Sequence, residues 1–464
     1  MKAKNLVTDN LVVIIFVSFT VLGFILSGGA PTVFFLNELI DRISRNFFLV
    51  LSLIIPIVAG LGLNFGIVVG AMVGQAAIIF VRYHAVVPTI AGGDPVPIFG
   101  GLSGLMLCFI LAFPVAAFCG YITGRLYNRV RGQEMIASLI VGFFAQGIYL
   151  FIFLFAVGHI IPVVSNHPMI KFDNIGLRMS VDLGFLTEGG LKFALDDIWR
   201  VAPMYLLLAG ALTALVILIV NKVRRGKNAV QAKVSPWRFR INLSLCALGI
   251  IVSSAAIITR VILTACGCGW VCHTNFAHND PFIVFLADLT RLRGVPVVTW
   301  LVMGALCLFL HFLPKTKLGQ DFRSVGQNQH IAEVSGINVD KTRIIATMFS
   351  TVLAAWGMII FMQNMGTMAT FDSFRNIGFF SVAAILVGGA STSRASLKNA
   401  IMGAILFNAM TIISPEVGLT VFRDPGAGEF FRSFLVYGCI ALALGLFVWK
   451  QHKAAKEKLS LDEN

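Results

Sequence analysis

The chain has 464 residues, of which 57% are hydrophobic and only 12% charged, with a mean hydropathy of +0.87 and a formal charge of +14. A soluble domain carries roughly 25% charged residues, so the composition excludes a water-soluble enzyme or module and indicates a polytopic membrane protein. The positive balance does not imply nucleic acid as a partner, because the basic residues gather in short loops, where membrane orientation accounts for them.

A spanning helix needs about 20 largely apolar residues, since backbone groups in hydrocarbon must pair within their own segment. Such runs centre on residues 11–26, 48–63, 67–81, 102–121, 135–157, 204–220, 243–264, 297–313, 344–361, 377–387, 400–413 and 434–449. The short runs 377–387 and 400–413 read as broken or re-entrant segments. The fold class is therefore an all-α polytopic membrane protein with about ten to twelve transmembrane helices, a single transmembrane domain over residues 1–464. Lys2 and Lys4 precede a span-length run with no evident small-residue cleavage site, so the first run is expected to remain a span.

Between the first two runs, Leu36, Ile40, Ile43 and Phe47 share one helical face, with Asn37, Glu38, Asp41, Arg42 and Arg45 on the other. This stretch is expected to lie flat at the outer interface. Next, Gly62, Gly66, Gly70 and Gly74 recur at every fourth position, a smooth face for close helix packing, and the chain is expected to break between Leu63 and Gly66. Residues 158–200 mix Asp173, Asp182, Glu188, Asp196 and Asp197 with few bases and read as an outer loop. Residues 221–240 hold Lys222, Arg224, Arg225, Lys227, Lys233, Arg238 and Arg240 with no acid and read as a cytoplasmic loop. Counting crossings from there puts both termini in the cytoplasm.

A second outer loop, residues 266–295, opens with Cys266, Cys268, Cys272, His273 and His278. These soft ligands could hold zinc or copper(I). The alternatives are a disulfide among them, favoured by an outer location, or inert thiols. Cys108, Cys119, Cys246, Cys307 and Cys439 lie in apolar runs and read as small core residues.

The polar stretch at residues 314–343 interrupts two apolar runs with more chain than a connector requires. Gly319, Gly326 and Gly336 are expected to break it into segments. Ile331, Ala332 and Val334, with Gln329, His330 and Glu333, suit a helix with one apolar side that docks on a cytoplasmic partner. An ordinary solvated connector is the alternative.

No G-x-x-x-x-G-K-[ST] loop, G-x-S-x-G elbow or H-E-x-x-H helix occurs. The chain reads as a transport subunit rather than an enzyme; any ATP that drives it is bound elsewhere. Ionisable groups are scarce in the apolar runs, which argues against an ion-gradient-driven secondary transporter. Uncharged amides are present instead: Asn64, Gln75, Gln146, Gln363, Asn364 and Asn408. With Phe371 and Phe374 as stacking rings they could line a pathway for a neutral polar solute. The same amides could equally knit helices together.

The stretch LGQDFRSVGQNQHIAEVSGINVDKTR resembles the cytoplasmic loop of ABC importer permeases of the branched-chain amino acid, ribose and nucleoside type, through Leu318, Gly319, Arg323, Gly326, Asn328, Gly336 and Ile337. AAILVGGAS at 383–391, Gly403 with Ala404, LNFGIVVGAMVGQ at 63–75 and GQEMIASLIVG at 132–142 are similar to further motifs of that family. Ser324 and Ile331 depart mildly from its pattern, and STSRASLKNA lacks its usual glycines. The resemblance implies a permease of the bacterial inner membrane. Its partners would be a second permease subunit, identical or paralogous, a pair of ABC ATPase subunits that bind ATP and magnesium, and a solute-binding protein. No cofactor would reside in this chain. The polar loop becomes the coupling element, with contacts expected at Arg323, Gly326, Asn328, His330, Glu333 and Gly336. The family's solutes include sugars, nucleosides, branched-chain amino acids and vitamins; the amides favour a nucleoside or sugar here.

Overall fold

The structure, a computed structural model, describes residues 11–27, 32–85, 100–163, 169–171, 173–184, 190–227, 236–265, 294–391, 394–424, 426–434, 437–438, 440–441 and 445. Its helices are α1 (Leu11–Leu26), α2 (Thr32–Ser52), α3 (Ile54–Val58), α4 (Ile67–Ala85), α5 (Gly101–Arg129), α6 (Glu134–Leu150), α7 (Pro203–Lys227), α8 (Pro236–Ala265), α9 (Val297–Phe312), α10 (Lys317–Gln327), α11 (Gln329–Val334), α12 (Val339–Met365), α13 (Ser373–Val387) and α14 (Leu397–Val417). Two short antiparallel ladders join β1 (Ser180–Asp182) to β4 (Thr367–Ala369) and β2 (Arg200–Val201) to β3 (Val295–Pro296). Among the described residues, seven helices are long and apolar enough to cross a membrane, and parts of α1 and α8 and the whole of α13 are shorter apolar helices. The chain is a helical, multi-pass membrane protein.

It divides into two compact units, one of residues 1–30, 38–198 and 298–464, the other of residues 31–37 and 199–297. In the second unit α7 and α8 pack together, with Met204 fully buried against Val252 and Ala255. In the first unit α12 lies against α4 and α5, and small residues set the closeness of both contacts. A Cβ on Gly70 would stand 2.7 Å from the Ala354 Cβ, and one on Gly74 would strike the Ala355 carbonyl. On α5, a Cβ on Gly120 or Gly124 would lie 2.7 or 2.9 Å from the α12 backbone at Met348 or Ile344. The four-residue glycine spacing thus serves as the helix-packing face it resembles. Gly62 and Gly66 are the exceptions: both lie in the break between α3 and α4, which spans residues 59–66 and is wider than the expected 63–66, and Gly62 there takes a left-handed conformation (φ +73°).

Two expectations change, and a third segment gains a definite packing partner. The amphipathic stretch 36–47 does not turn its polar face away from the protein. It belongs to the 21-residue α2, whose polar side turns into the protein: Arg42 Nη1 donates to Thr411 Oγ1 (3.2 Å) and Asn46 Nδ2 to Asn408 Oδ1 (3.0 Å). An amphipathic pattern records only that two faces differ, and here the polar face lines a cavity within the protein. Residues 400–413 are not a short re-entrant piece, because α14 runs for 21 residues; Lys398, Asn399, Ser414 and Glu416 made the apolar run look truncated. Its start is capped by Ser396 Oγ, which accepts from the Asn399 amide (3.3 Å). The acidic segment after residue 158 packs onto the carboxyl end of α12, with Leu183, Leu191 and Leu195 buried and the Leu183 amide donating to the Gly366 carbonyl (3.0 Å).

Candidate functional site

At the amino end of α12 the polar stretch folds into α10 and α11. Thr316 caps α10, its Oγ1 accepting from the Gly319 amide (3.2 Å). Gly319 and Gly326 do not break the segment, as expected from sequence, but lie within α10 where the chain comes closest to its neighbours. A Cβ on Gly326 would strike the Val58 carbonyl oxygen, and one on Gly60 would stand 2.8 Å from the Gly326 Cα, so α10 rests directly on the bend after α3. Asn328 ends α10 and caps α11, its Oδ1 accepting from the amides of His330 (3.0 Å) and Ile331 (3.2 Å). Gly336 closes α11 in the left-handed region (φ +83°) that glycine adopts without strain.

Of the expected coupling residues, Arg323, Asn328, His330, Glu333 and Gly336 are exposed and Gly326 is half-buried against the α3 bend. The three apolar residues of α11 do not share a side. Ala332 is buried with Val325 and Val339, whereas Ile331 and Val334 are 63% and 78% exposed.

Beneath α11 lies a polar network that sequence reasoning missed. Arg343, fully buried, pairs with the Glu134 carboxylate at the start of α6 and donates to Gln329 Oε1 of α11 (3.3 Å) and the Tyr127 carbonyl of α5 (3.4 Å). Close by, Asn64 Oδ1 accepts from the Gly66 amide and from the Tyr127 hydroxyl, both at 2.9 Å. Ser138 Oγ accepts from the Phe65 amide (3.1 Å). These bonds satisfy the broken helix and tie it to α5 and α6. Glu134 and Ser138 were both within the 132–142 motif, which was the available signal.

At the other end of α12, the buried Asp196 carboxylate gathers donors from Gln363 Nε2 (3.0 Å), Asn364 Nδ2 (2.6 Å) and the Thr299 hydroxyl. Gln75 Nε2 donates to the carbonyls of Ala369 (3.2 Å) and Thr370 (2.9 Å), holding β4 to α4. Gln146 is half-buried on α6, Phe371 is partly buried against the core, and Phe374 is wholly buried with its ring 5.0 Å from that of Tyr149. Asn64, Gln75, Gln363 and Asn364 each make bonds within the fold.

Asn408 also bonds within the fold, yet it lines a polar cavity of about 580 Å³ formed by α2, α12, α13, α14 and the β1–β4 ladder. Glu38, Arg42, Arg45, Asn46, Thr411 and Arg432 supply much of its polar lining. Two hollows of about 520 and 470 Å³ elsewhere have almost wholly apolar walls and offer a polar solute little to bind. Burial lowers the Arg45 pKa from its ordinary value, with Arg42 adding to the effect and Glu38 and Asp41 opposing it. Cys266, Cys268, Cys272, His273 and His278 lie outside the described residues. Among the described residues no group of three or more His, Cys, Asp or Glu side chains is placed to hold a metal.

Comparison with known proteins bears on both ends. The profile of the family described as branched-chain amino acid transport system / permease component matches residues 174–444, more than half of the chain. A xylose transport system permease protein of Haemophilus influenzae is 31% identical over 163 residues, 35% of this chain and 40% of that protein. A nucleoside ABC transporter permease protein of Lactococcus lactis is 30% identical over 158 residues, 33% of this chain and 46% of that protein. An autoinducer 2 import system permease protein of Klebsiella pneumoniae is 28% identical over 152 residues, 32% of this chain and 42% of that protein. The chain thus spans less than half the length of each of these relatives. No solved structure matches it.

Proposed function

Since the chain belongs to the branched-chain amino acid transport system / permease component family, we propose that it is the permease subunit of an ATP-driven importer that moves a small polar solute inward by alternating access. A sugar or nucleoside is the favoured solute, as in the relatives named for xylose and nucleoside transport. The observation that carries this reading is the arrangement about α12. A 27-residue helix, about 40 Å long, separates the exposed α10–α11 surface at one end from the polar cavity at the other.

In this reading the protein lies in the bacterial inner membrane with about ten to twelve crossings, both termini and α10–α11 facing the cytoplasm. An ATPase pair binds ATP and magnesium and docks on Arg323, Gly326, Asn328, His330, Glu333 and Gly336, with Ile331 and Val334 as apolar anchors beside them. A solute-binding protein delivers cargo to the cavity end, and a second permease subunit, identical or paralogous, completes the pathway. Closure of the ATPases pushes α11, and the Gln329–Arg343–Glu134 bonds carry that displacement to α6 as near-rigid motion.

The rival mechanism is an ion-gradient-driven transporter, and the buried Asp196 and Glu134 carboxylates are the observations in its favour among the described residues. Reconstitution separates them. Vesicles containing this chain and its ATPases should take up solute only with ATP; gradient-driven uptake by the chain without an ATPase overturns the permease reading. Cross-linking from a cysteine at His330 to the ATPase tests the docking surface, and absence of any cross-link counts against it.

A further inference from the structure

We infer that the cavity recognises an anionic group on its solute, a carboxylate or a phosphate ester, through the guanidinium groups of Arg42 and Arg45. The inference rests on the importer reading and narrows its substrate class.

Among the described residues, the cavity wall holds Arg42, Arg45 and Arg432 against one acid, Glu38. Glu38 belongs mainly to Arg42, whose Nε donates to its Oε1 at 2.8 Å, while Arg45 Nη2 reaches the same oxygen only at 3.6 Å. Arg42 is further held by Thr411. Arg45 is not so well provided. Its Nη1 donates to the Met365 thioether (3.2 Å), a weak acceptor, its guanidinium carbon lies 5.9 Å from the centre of the Phe361 ring, and its buried Nε has no acceptor among the described residues. Asp41 acts on Arg45 through its field without lining the cavity, and Arg432 is answered by Glu429 at 2.7 Å.

A guanidinium keeps its charge at any physiological pH and offers donors in a planar fork matched to carboxylate and phosphate. Arg45 thus has a largely buried charge, unused donors and an open cavity beside it. A neutral hydroxyl could accept one of those hydrogen bonds but adds no counter-charge to the distant Glu38 contact; an oxyanion accepts two and brings a full counter-charge. Asn46, Asn408 and Thr411 remain to bind the uncharged remainder of the solute. Scarcity of charge in the apolar runs pointed toward a neutral solute because these arginines sit on α2, outside any recognised span.

The test uses the purified importer complex and matched probes: galactose with galacturonate, and inosine with inosine monophosphate. Thermal stabilisation over a concentration series gives an apparent affinity for each. The anionic member of one pair should bind about tenfold more tightly than its neutral parent, the difference between charged and neutral hydrogen bonds. Which pair responds distinguishes carboxylate from phosphate. Arg45→Gln should abolish the preference, and Arg45→Lys should keep part of it. Equal binding of both members, no response to either anion, or an unchanged preference in Arg45→Gln each overturns the inference. The importer reading fails separately, by uptake independent of ATP.

Discussion

The buried Arg343–Glu134 pair gives the most demanding stability prediction. In Glu134→Gln the carbonyl oxygen still meets Arg343, but the guanidinium is left with neutral acceptors only, at 3.3 Å on Gln329 and 3.4 Å on Tyr127. Removing one partner of a buried pair costs about 3–5 kcal/mol, because an uncompensated charge remains. Keeping one acceptor places Glu134→Gln near the lower figure, whereas Glu134→Leu removes the acceptor too and falls near the upper. The double variant Glu134→Leu/Arg343→Met replaces both charges by apolar groups and should recover most of the loss. Arg131–Asp340 is the internal control, an ion pair of 2.5 Å whose side chains are 46% and 55% exposed, so that Asp340→Asn should cost about 0–1 kcal/mol. The assay is the folded fraction across a denaturant series, read by size-exclusion chromatography of the solubilised protein. If Glu134→Gln shifts the midpoint no more than Asp340→Asn, the burial argument is wrong. A second readout concerns coupling. The double variant, though folded, lacks the bond between α11 and Arg343 and should hydrolyse ATP with weakened solute stimulation.

Other perturbations address the remaining contacts. Gly326→Val drives a side chain into the Val58 carbonyl; overpacking of this kind costs about 1–3 kcal/mol, and ATP hydrolysis in the reconstituted complex should continue without matching uptake. Unchanged uptake in that variant removes Gly326 from the coupling contact. Asp196→Asn keeps the shape of the carboxylate but weakens hydrogen bonds from Gln363, Asn364 and Thr299. A loss of about 2 kcal/mol in the same denaturant assay is expected, and no loss would show that the charge does not organise that end of α12. Ile331→Asp with Val334→Asp alters exposed positions, so the permease should change by only about 0.5 kcal/mol while losing co-purifying ATPase; retention of full ATPase stoichiometry argues against α11 as the anchor.

Much of the fold was readable because lipid makes length and hydropathy decisive, and because small residues mark close helix contacts. The apolar runs at 67–81, 102–121 and 344–361 correspond to α4, α5 and α12, and Gly70 and Gly74 face α12 as their spacing indicated. What the pattern could not state was what a polar residue faces. Arg42 and Arg45 on an amphipathic face gave the same signal for a headgroup layer as for a cavity. Asn64, Gln75, Gln363 and Asn364 gave the same signal for a solute pathway as for bonds inside the fold, and their bonding partners could not be read from the pattern. The Arg343–Glu134 pair joins residues far apart in sequence, and Arg343 read as the last base of a polar loop because nothing local marks it as buried.

The tightness of the contacts along α12 also bears on how the two ends could communicate. Gly70, Gly74, Gly120 and Gly124 bring α4, α5 and α12 together with no room for even a methyl group at several points. Packed interfaces of this kind have little void to absorb strain, so a displacement at one end shifts the elements together rather than deforming them. The bend at residues 59–66 is different, since its backbone is held by the side chains of Asn64 and Ser138 instead of a helical ladder. That bend is where α10 rests, through the Gly60–Gly326 contact. In the proposed function, then, the push from the ATPases arrives at a place in this bundle where the backbone already turns. In that reading it passes from there by α4 and α12 to β4 and the cavity, with Gln75 fastening α4 to β4.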